Sequence, residues 1–106
     1  MKITGFHFEV IINGKTVGFQ SVKTNGDTLE LVKHVKFLGE LPESMSGTCS
    51  IAIFANVGTP YLSGSSGTFD GYGISKHPDD PGLMNIVLTR VRFNHDVAFD
   101  LDAVKS

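Results

Sequence analysis

Residues 6–19 read Phe6-His7-Phe8-Glu9-Val10-Ile11-Ile12-Asn13-Gly14-Lys15-Thr16-Val17-Gly18-Phe19, and this stretch decides the fold. Asn-Gly between two alternating apolar runs is the strongest short-range hairpin signal, because a two-residue type I′ turn needs positive φ at both central positions. With the turn at Asn13-Gly14, Ile12 faces Lys15, Val10 faces Val17 and Phe8 faces Phe19. Phe8, Val10, Val17 and Phe19 then share one side of the ribbon with Phe6, while His7, Glu9, Thr16 and Gln20 take the other. Register and alternation agree, as a specified strand pair requires.

Working outward, Val22 to Thr28 contains a second turn. A three-residue loop from Thr24 to Gly26, with Gly26 left-handed, pairs Phe19 with Leu31 and keeps Leu29, Leu31, Val35 and Phe37 on the core face. The third strand is expected from about Asp27 to Leu38, with Lys33 the polar exception on that face. Thr48 to Val57 reads as a fourth strand, with Cys49, Ile51, Ile53 and Val57 on one side and Phe54 on the other. Gly58 to Gly73 is glycine-rich and reads as a long loop, with a short strand over Phe69 to Ser75. Lys76 to Gly82, with two prolines and two aspartates, reads as a turn. Leu83 to Leu101 is expected to close the fold as a hairpin about Asn94-His95-Asp96, setting Arg90 across from Asp100. Six to seven mostly antiparallel strands, with no helix-period segment, give a single all-β sandwich or small barrel over residues 1–106.

Composition narrows the function classes. The chain has 106 residues, 41% hydrophobic and 19% charged, enough for one domain with one core. No apolar run approaches the ~18 residues that a membrane-spanning helix needs. The first residues lack the apolar core of a signal peptide, so cytoplasmic synthesis is expected, with association to a virion or secretion apparatus as a further location. One cysteine, Cys49, excludes an internal disulfide and a Cys-rich zinc site. A net charge of −2 argues against a protein that lives on phosphate backbones.

Few residues carry a catalytic pattern. Cys49 alternates with Ile51 and Ile53 and reads as a small buried hydrophobe rather than a nucleophile. Gly64-Ser65-Ser66-Gly67 lacks the strand-turn-helix context of a nucleophile elbow. Asp70, His77, Asp79 and Asp80 are the one group resembling metal ligands or an acid/base pair. Aspartates between prolines are ordinary turn formers, and no ligand spacing accompanies them, so no metal and no cofactor is assigned. Binding is better supported. The Gly58–Gly73 loop carries Tyr61, Phe69, Asp70 and Tyr72, and loops of this length are usually functional or disordered. Ile11 and Val22, opposite the expected core face, are candidates for a subunit contact.

Phe8 to Val22 resembles the opening hairpin of phage contractile-tail tube proteins, and Asn85-Ile86-Val87-Leu88-Thr89-Arg90 resembles a later strand of that family. The resemblance implies a β-sandwich that stacks in rings. Val91-Arg92-Phe93-Asn94 and Ala98 to Lys105 resemble the end of filamentous-phage single-stranded-DNA-binding proteins. That resemblance implies a dimeric barrel, with Tyr61, Phe69 and Tyr72 stacking on bases and Lys33, Lys36, Arg90 and Arg92 near phosphates. The leading expectation is a non-enzymatic β module that self-associates or binds protein, a phage-type structural component, by way of the Gly58–Gly73 loop and the open edge of the first hairpin. Single-stranded nucleic-acid binding is the alternative. A glycan-binding module using Tyr61, Tyr72 and Asp70 is the third reading.

Overall fold

In the computed structural model, which describes residues 7–36, 44–54, 60–95 and 98–102, the Asn13-Gly14 turn forms as its sequence dictates. Asn13 (φ 51°) and Gly14 (φ 81°) join β1 (His7–Ile12) to β2 (Lys15–Val17), with Ile12 opposite Lys15 and Val10 opposite Val17. The expected Phe8–Phe19 pair does not form, because β2 stops at Val17; Phe8 pairs with Ile53 instead. Phe6 lies outside the described residues.

The chain then leaves the sheet. Gly18 to Gln20 cross to a second layer, where β3 (Ser21–Asn25) and β4 (Thr28–His34) form a hairpin. The turn there is Gly26-Asp27, with Asn25 opposite Thr28 and Val22 opposite Leu31. This corrects the three-residue loop and its Phe19–Leu31 register. That register assumed residues 15–23 to be one strand, and the crossing between sheets resets it. Gly26 is left-handed as expected (φ 63°). The consequence is that Val22 is 1% exposed, a core residue and not an interface residue. Val35 lies beyond the end of β4 and is 39% exposed, while Phe37 and Leu38 fall outside the described residues.

Six further strands complete the fold: β5 (Ser46–Phe54), β6 (Tyr61–Asp70), β7 (Tyr72–Lys76), β8 (Leu83–Leu88), β9 (Arg92–Phe93) and β10 (Asp100–Asp102). One sheet has the order β2-β1-β5-β6-β9 and the other β10-β3-β4-β8-β7, and every pairing is antiparallel. The fold is thus the expected all-β sandwich. Ten strands among the described residues replace the six or seven expected, since strands of two or three residues leave no alternation to read. Among the described residues no helix is long and apolar enough to cross a membrane.

Two sequence expectations fail at the places where the chain changes sheet. The Gly58–Gly73 stretch is not a loop where it is described: Tyr61–Asp70 is the longest of the described strands, paired with β5 except at Leu62, where the register shifts. Its glycines serve close approach. A Cβ at Gly64 would sit 2.9 Å from the Ile51 carbonyl oxygen, and one at Gly67 would sit 2.0 Å from that of Arg92. Gly71 (φ 105°) then turns the chain into β7 of the other sheet. The closing hairpin does not form either. Arg90 adopts φ 51°, ending the run that began in β8, and β9 and β10 join different sheets. Arg90 therefore meets Asp70 (Nε to Oδ2, 3.4 Å), and Asp100 stands opposite Lys23.

The core between the sheets is built from Val10, Ile12, Val17, Cys49, Ile51 and Phe69 on one side and Val22, Leu29, Leu31, Ile86 and Leu88 on the other. Lys33 joins it at 1% exposure. Its Nζ donates to the Gly18 carbonyl at 2.7 Å and lies 5.3 Å from the centre of the Phe19 ring. A buried ammonium persists only when its donors are used, and here one of them fixes the crossing from β2 to β3.

Candidate functional site

The candidate site is the open side of β6 and the face beside it. β9 pairs with β6 at Gly67 and Thr68, and the Ser66 carbonyl accepts from the Asn94 amide at 2.8 Å. Alternate residues of a strand direct their backbone groups to the same edge. The N–H and C=O of Gly64 therefore point to that edge too, while at Leu62 the register against β5 shifts and the alternation breaks. Among the described residues no strand lies against them. The segment Tyr61-Leu62-Ser63-Gly64-Ser65 carries no charge, and Tyr61 is 65% exposed.

The adjoining outer face is shallow because its side chains are small. Ile11, Ser50 and Ser66 form one cross-strand row, and Glu9, Ala52 and Gly64 the next. His7 stacks on Phe54 at 4.8 Å, and Tyr61 is opposite Phe54. A trough of about 310 Å³ runs over Ser50, Ala52, Gly64 and Ser66 between Tyr61 and His95. Asn94 holds its rim through Nδ2 to Ser66 Oγ at 2.8 Å. A second hollow of about 370 Å³ continues from Ser50 and Ser66 to Ile11, which is half-buried on this face.

The residues expected in a binding loop do not converge. Tyr61 and Asp70 are at opposite ends of β6, about 30 Å apart at ~3.3 Å per residue. Phe69 is 2% exposed in the core, where it stacks on nothing from solvent. Tyr72 is half-buried against the core in the other sheet. The four basic side chains of the nucleic-acid reading are likewise dispersed. Lys33 is internal, Arg90 is engaged by Asp70, Arg92 lies exposed on β9 and Lys36 lies exposed past β4.

The groups with catalytic or ligating character are used structurally. The Cys49 thiol is buried, and desolvation pushes it up to about 11, so it stays protonated at neutral pH. His77 Nδ1 accepts from the Asp79 amide (3.1 Å), and Asp80 Oδ1 accepts from the Gly82 amide (2.8 Å). These are turn bonds. Among the described residues no three His, Cys, Asp or Glu side chains come together in an arrangement that could hold a metal ion. The chain matches no protein-family model, no curated protein and no solved structure.

The β6 edge itself was missed in the sequence. Its available signal was weak: Ser63 and Ser65 lie opposite Ile53 and Ile51, so the alternation sits on the partner strand and not on β6.

Proposed function

We propose that this chain is a non-enzymatic association module that joins to further copies of itself by strand addition at the Tyr61–Ser65 edge. The observation that carries this reading is the long strand β6, paired along one side and met by β9 for two residues on the other. An unpaired edge is a ready template for another strand, and native proteins usually blunt it with charge, proline or a cover. This one is uncharged from Tyr61 to Ser65, and its one irregularity is the register shift at Leu62. Two copies meeting antiparallel about Gly64 place Ser63 opposite Ser65 in both directions, the self-complementary pattern of a two-fold contact. About two backbone hydrogen bonds follow, each worth about 0.5–1.5 kcal/mol net. The resemblance to phage tube proteins supports assembly as the purpose of such a contact.

The test is light scattering of the purified protein at low and moderate salt, with and without oligo(dT), beside Ser63→Lys. Ser63 is exposed at the edge, and lysine there is a natural device against edge pairing. The expected result is a salt-tolerant oligomer that Ser63→Lys reduces to monomer. A monomer at every concentration, or an oligomer indifferent to Ser63→Lys, refutes the reading. A mass shift that appears only with oligo(dT) and fades with salt puts nucleic-acid binding in its place.

A further inference from the structure

The chain contains Asn-Gly twice, at Asn13-Gly14 and Asn25-Gly26, and both pairs lie exposed at hairpin turns. Asn-Gly is chemically labile, because glycine has no side chain to hinder attack by its nitrogen on the carboxamide before it. The fold treats the two pairs differently.

At the first, the Asn13 carboxamide is held. Its Oδ1 accepts from the Thr48 amide at 2.8 Å, and its Nδ2 donates to the Ser46 carbonyl at 3.4 Å. Gly47 provides the seat, where a Cβ would overlap Asn13 Oδ1. Attack by the Gly14 nitrogen requires the carboxamide to turn back towards its own backbone, so both bonds must break first. At the second, Asn25 ends β3 opposite Thr28, and the turn proper is Gly26-Asp27. Thr28 Oγ1 donates to the Asn25 backbone carbonyl (2.7 Å), and among the described residues nothing holds the Asn25 carboxamide.

We propose that Asn25-Gly26 is a modification site at which the folded protein deamidates spontaneously, and that Asn13-Gly14 is the same chemistry sealed by the fold. The Gly26 nitrogen gives its proton to solvent base and bonds to Asn25 Cγ. The Cγ–Nδ2 bond breaks, and Nδ2 leaves as ammonia from a cyclic imide. Water then opens the imide at Cγ, giving aspartate, or at the main-chain carbonyl carbon, giving isoaspartate. Water is consumed, ammonia is released, and nothing is oxidised or reduced.

Isoaspartate routes the main chain through Cβ and Cγ, and the lengthened turn cannot keep residue 25 opposite Thr28. The same turn fastens the returning chain. Thr24 N–H donates to the Phe99 carbonyl at 2.7 Å, Phe99 N–H to Thr24 Oγ1 at 3.1 Å, and Val91 N–H to the Asp27 carbonyl at 2.7 Å. Conversion therefore loosens Val91 and Phe99 from the hairpin, a one-way change set by time and not by a partner. The site is independent of the β6 edge and stands whether or not the chain self-associates.

Peptide mass spectrometry after incubation in mildly alkaline buffer tests it, because trypsin places the two sites in separate peptides, Ile3 to Lys15 and Thr24 to Lys33. In the folded protein Asn25 should convert about tenfold faster than Asn13 or more, the ratio that two ordinary hydrogen bonds impose. In urea the two rates should draw together, since both sites are then bare Asn-Gly. Gly47→Ala should raise the Asn13 rate in the folded state and leave the Asn25 rate unchanged. If that variant does not fold, the comparison of folded with urea-treated unaltered protein decides alone. Comparable rates in the folded protein, an Asn25 that converts only in urea, or a rate gap that persists in urea overturns the proposal. So does a deamidated product, separated from intact protein by its added negative charge, whose Val91 and Phe99 amides exchange no faster than those of Asn25→Asp, which keeps the normal backbone.

Discussion

Gly67→Ala puts the crossing of β6 and β9 to a quantitative test. An alanine Cβ at this position would stand 2.0 Å from the Arg92 carbonyl oxygen and 2.7 Å from Phe93 Cα. Ordinary carbon–oxygen contacts begin near 3.3 Å, so β9 must withdraw by about 1.3 Å, and the obstacle is backbone that no rotamer change can move. The Asn94 amide bond to the Ser66 carbonyl, 2.8 Å long, would be stretched beyond hydrogen-bonding range, as would Asn94 Nδ2 to Ser66 Oγ. The edge-to-face pair of Phe93 and Phe99, with centroids 6.1 Å apart, loosens with them. Two or three hydrogen bonds at about 1 kcal/mol and an aromatic pair at about 0.5–1 kcal/mol give a loss of about 2–4 kcal/mol. For a domain of this size that lowers Tm by about 10–25 °C. Urea unfolding followed by far-UV circular dichroism measures it, with Gly18→Ala as control. A Cβ at Gly18 meets nothing within 4 Å, so the control should stay within about 0.5 kcal/mol or gain slightly from a less flexible unfolded chain. Gly67→Ala with unaltered stability and an Asn94 amide still protected from exchange would refute the reasoning.

Asn13→Ala should cost about 1–3 kcal/mol in urea unfolding, because Asn13 Oδ1 accepts from the Thr48 amide at 2.8 Å and the residue is left-handed; Asn13→Asp, which keeps the acceptor, should cost less than half of that. Cys49 should resist thiol reagents in the folded state, with labelling that tracks unfolding. Its folded thiol is pushed up to about 11, so between pH 9 and 11 the unfolded chain releases a proton that the folded chain keeps, and stability falls by about 2–3 kcal/mol as pH rises through that window. Both a flat pH profile there and rapid labelling at neutral pH would contradict this. Arg90→Gly should leave stability within about 0.5 kcal/mol, since relief of a left-handed backbone offsets an ion pair whose partners are about two-thirds exposed, whereas Arg90→Val should lose about 1–2 kcal/mol. The urea midpoints of the two variants decide it.

The sandwich was legible where the determinants are local. Asn13-Gly14 specifies its own turn, and Val10, Ile12 and Val17 then fall on the face that the register demands. Cys49 and Ile51 read as core by alternation and are core. Expectations failed at three of the crossings between sheets. Residues 18–20 reset the register of β3, which moved Val22 from surface to core. Gly71 made two strands of an expected loop, and Arg90 undid an expected hairpin with side-chain pattern to spare. A crossing between sheets needs no distinctive residue: a left-handed arginine is uncommon enough that no propensity argues for it.

The candidate site was illegible for a related reason. A strand edge belongs to the order of strands in a sheet and not to the strand itself. Tyr61-Leu62-Ser63-Gly64-Ser65 would read the same whether β9 ran beside all of it or stopped at Ser66. What leaves it open is decided elsewhere, by the kink at Arg90 and the shortness of β9. The same holds for the charged row on the outer face of the other sheet. Lys23, Glu30 and Asp100 are scattered in sequence, and they become neighbours because the turn at Gly26-Asp27 and the return of β10 to β3 set them in one row. Composition could not assign the edge a role, since serines and glycines are ordinary surface. Their meaning is positional, which makes a perturbation that leaves composition nearly untouched, such as Ser63→Lys, the one that discriminates.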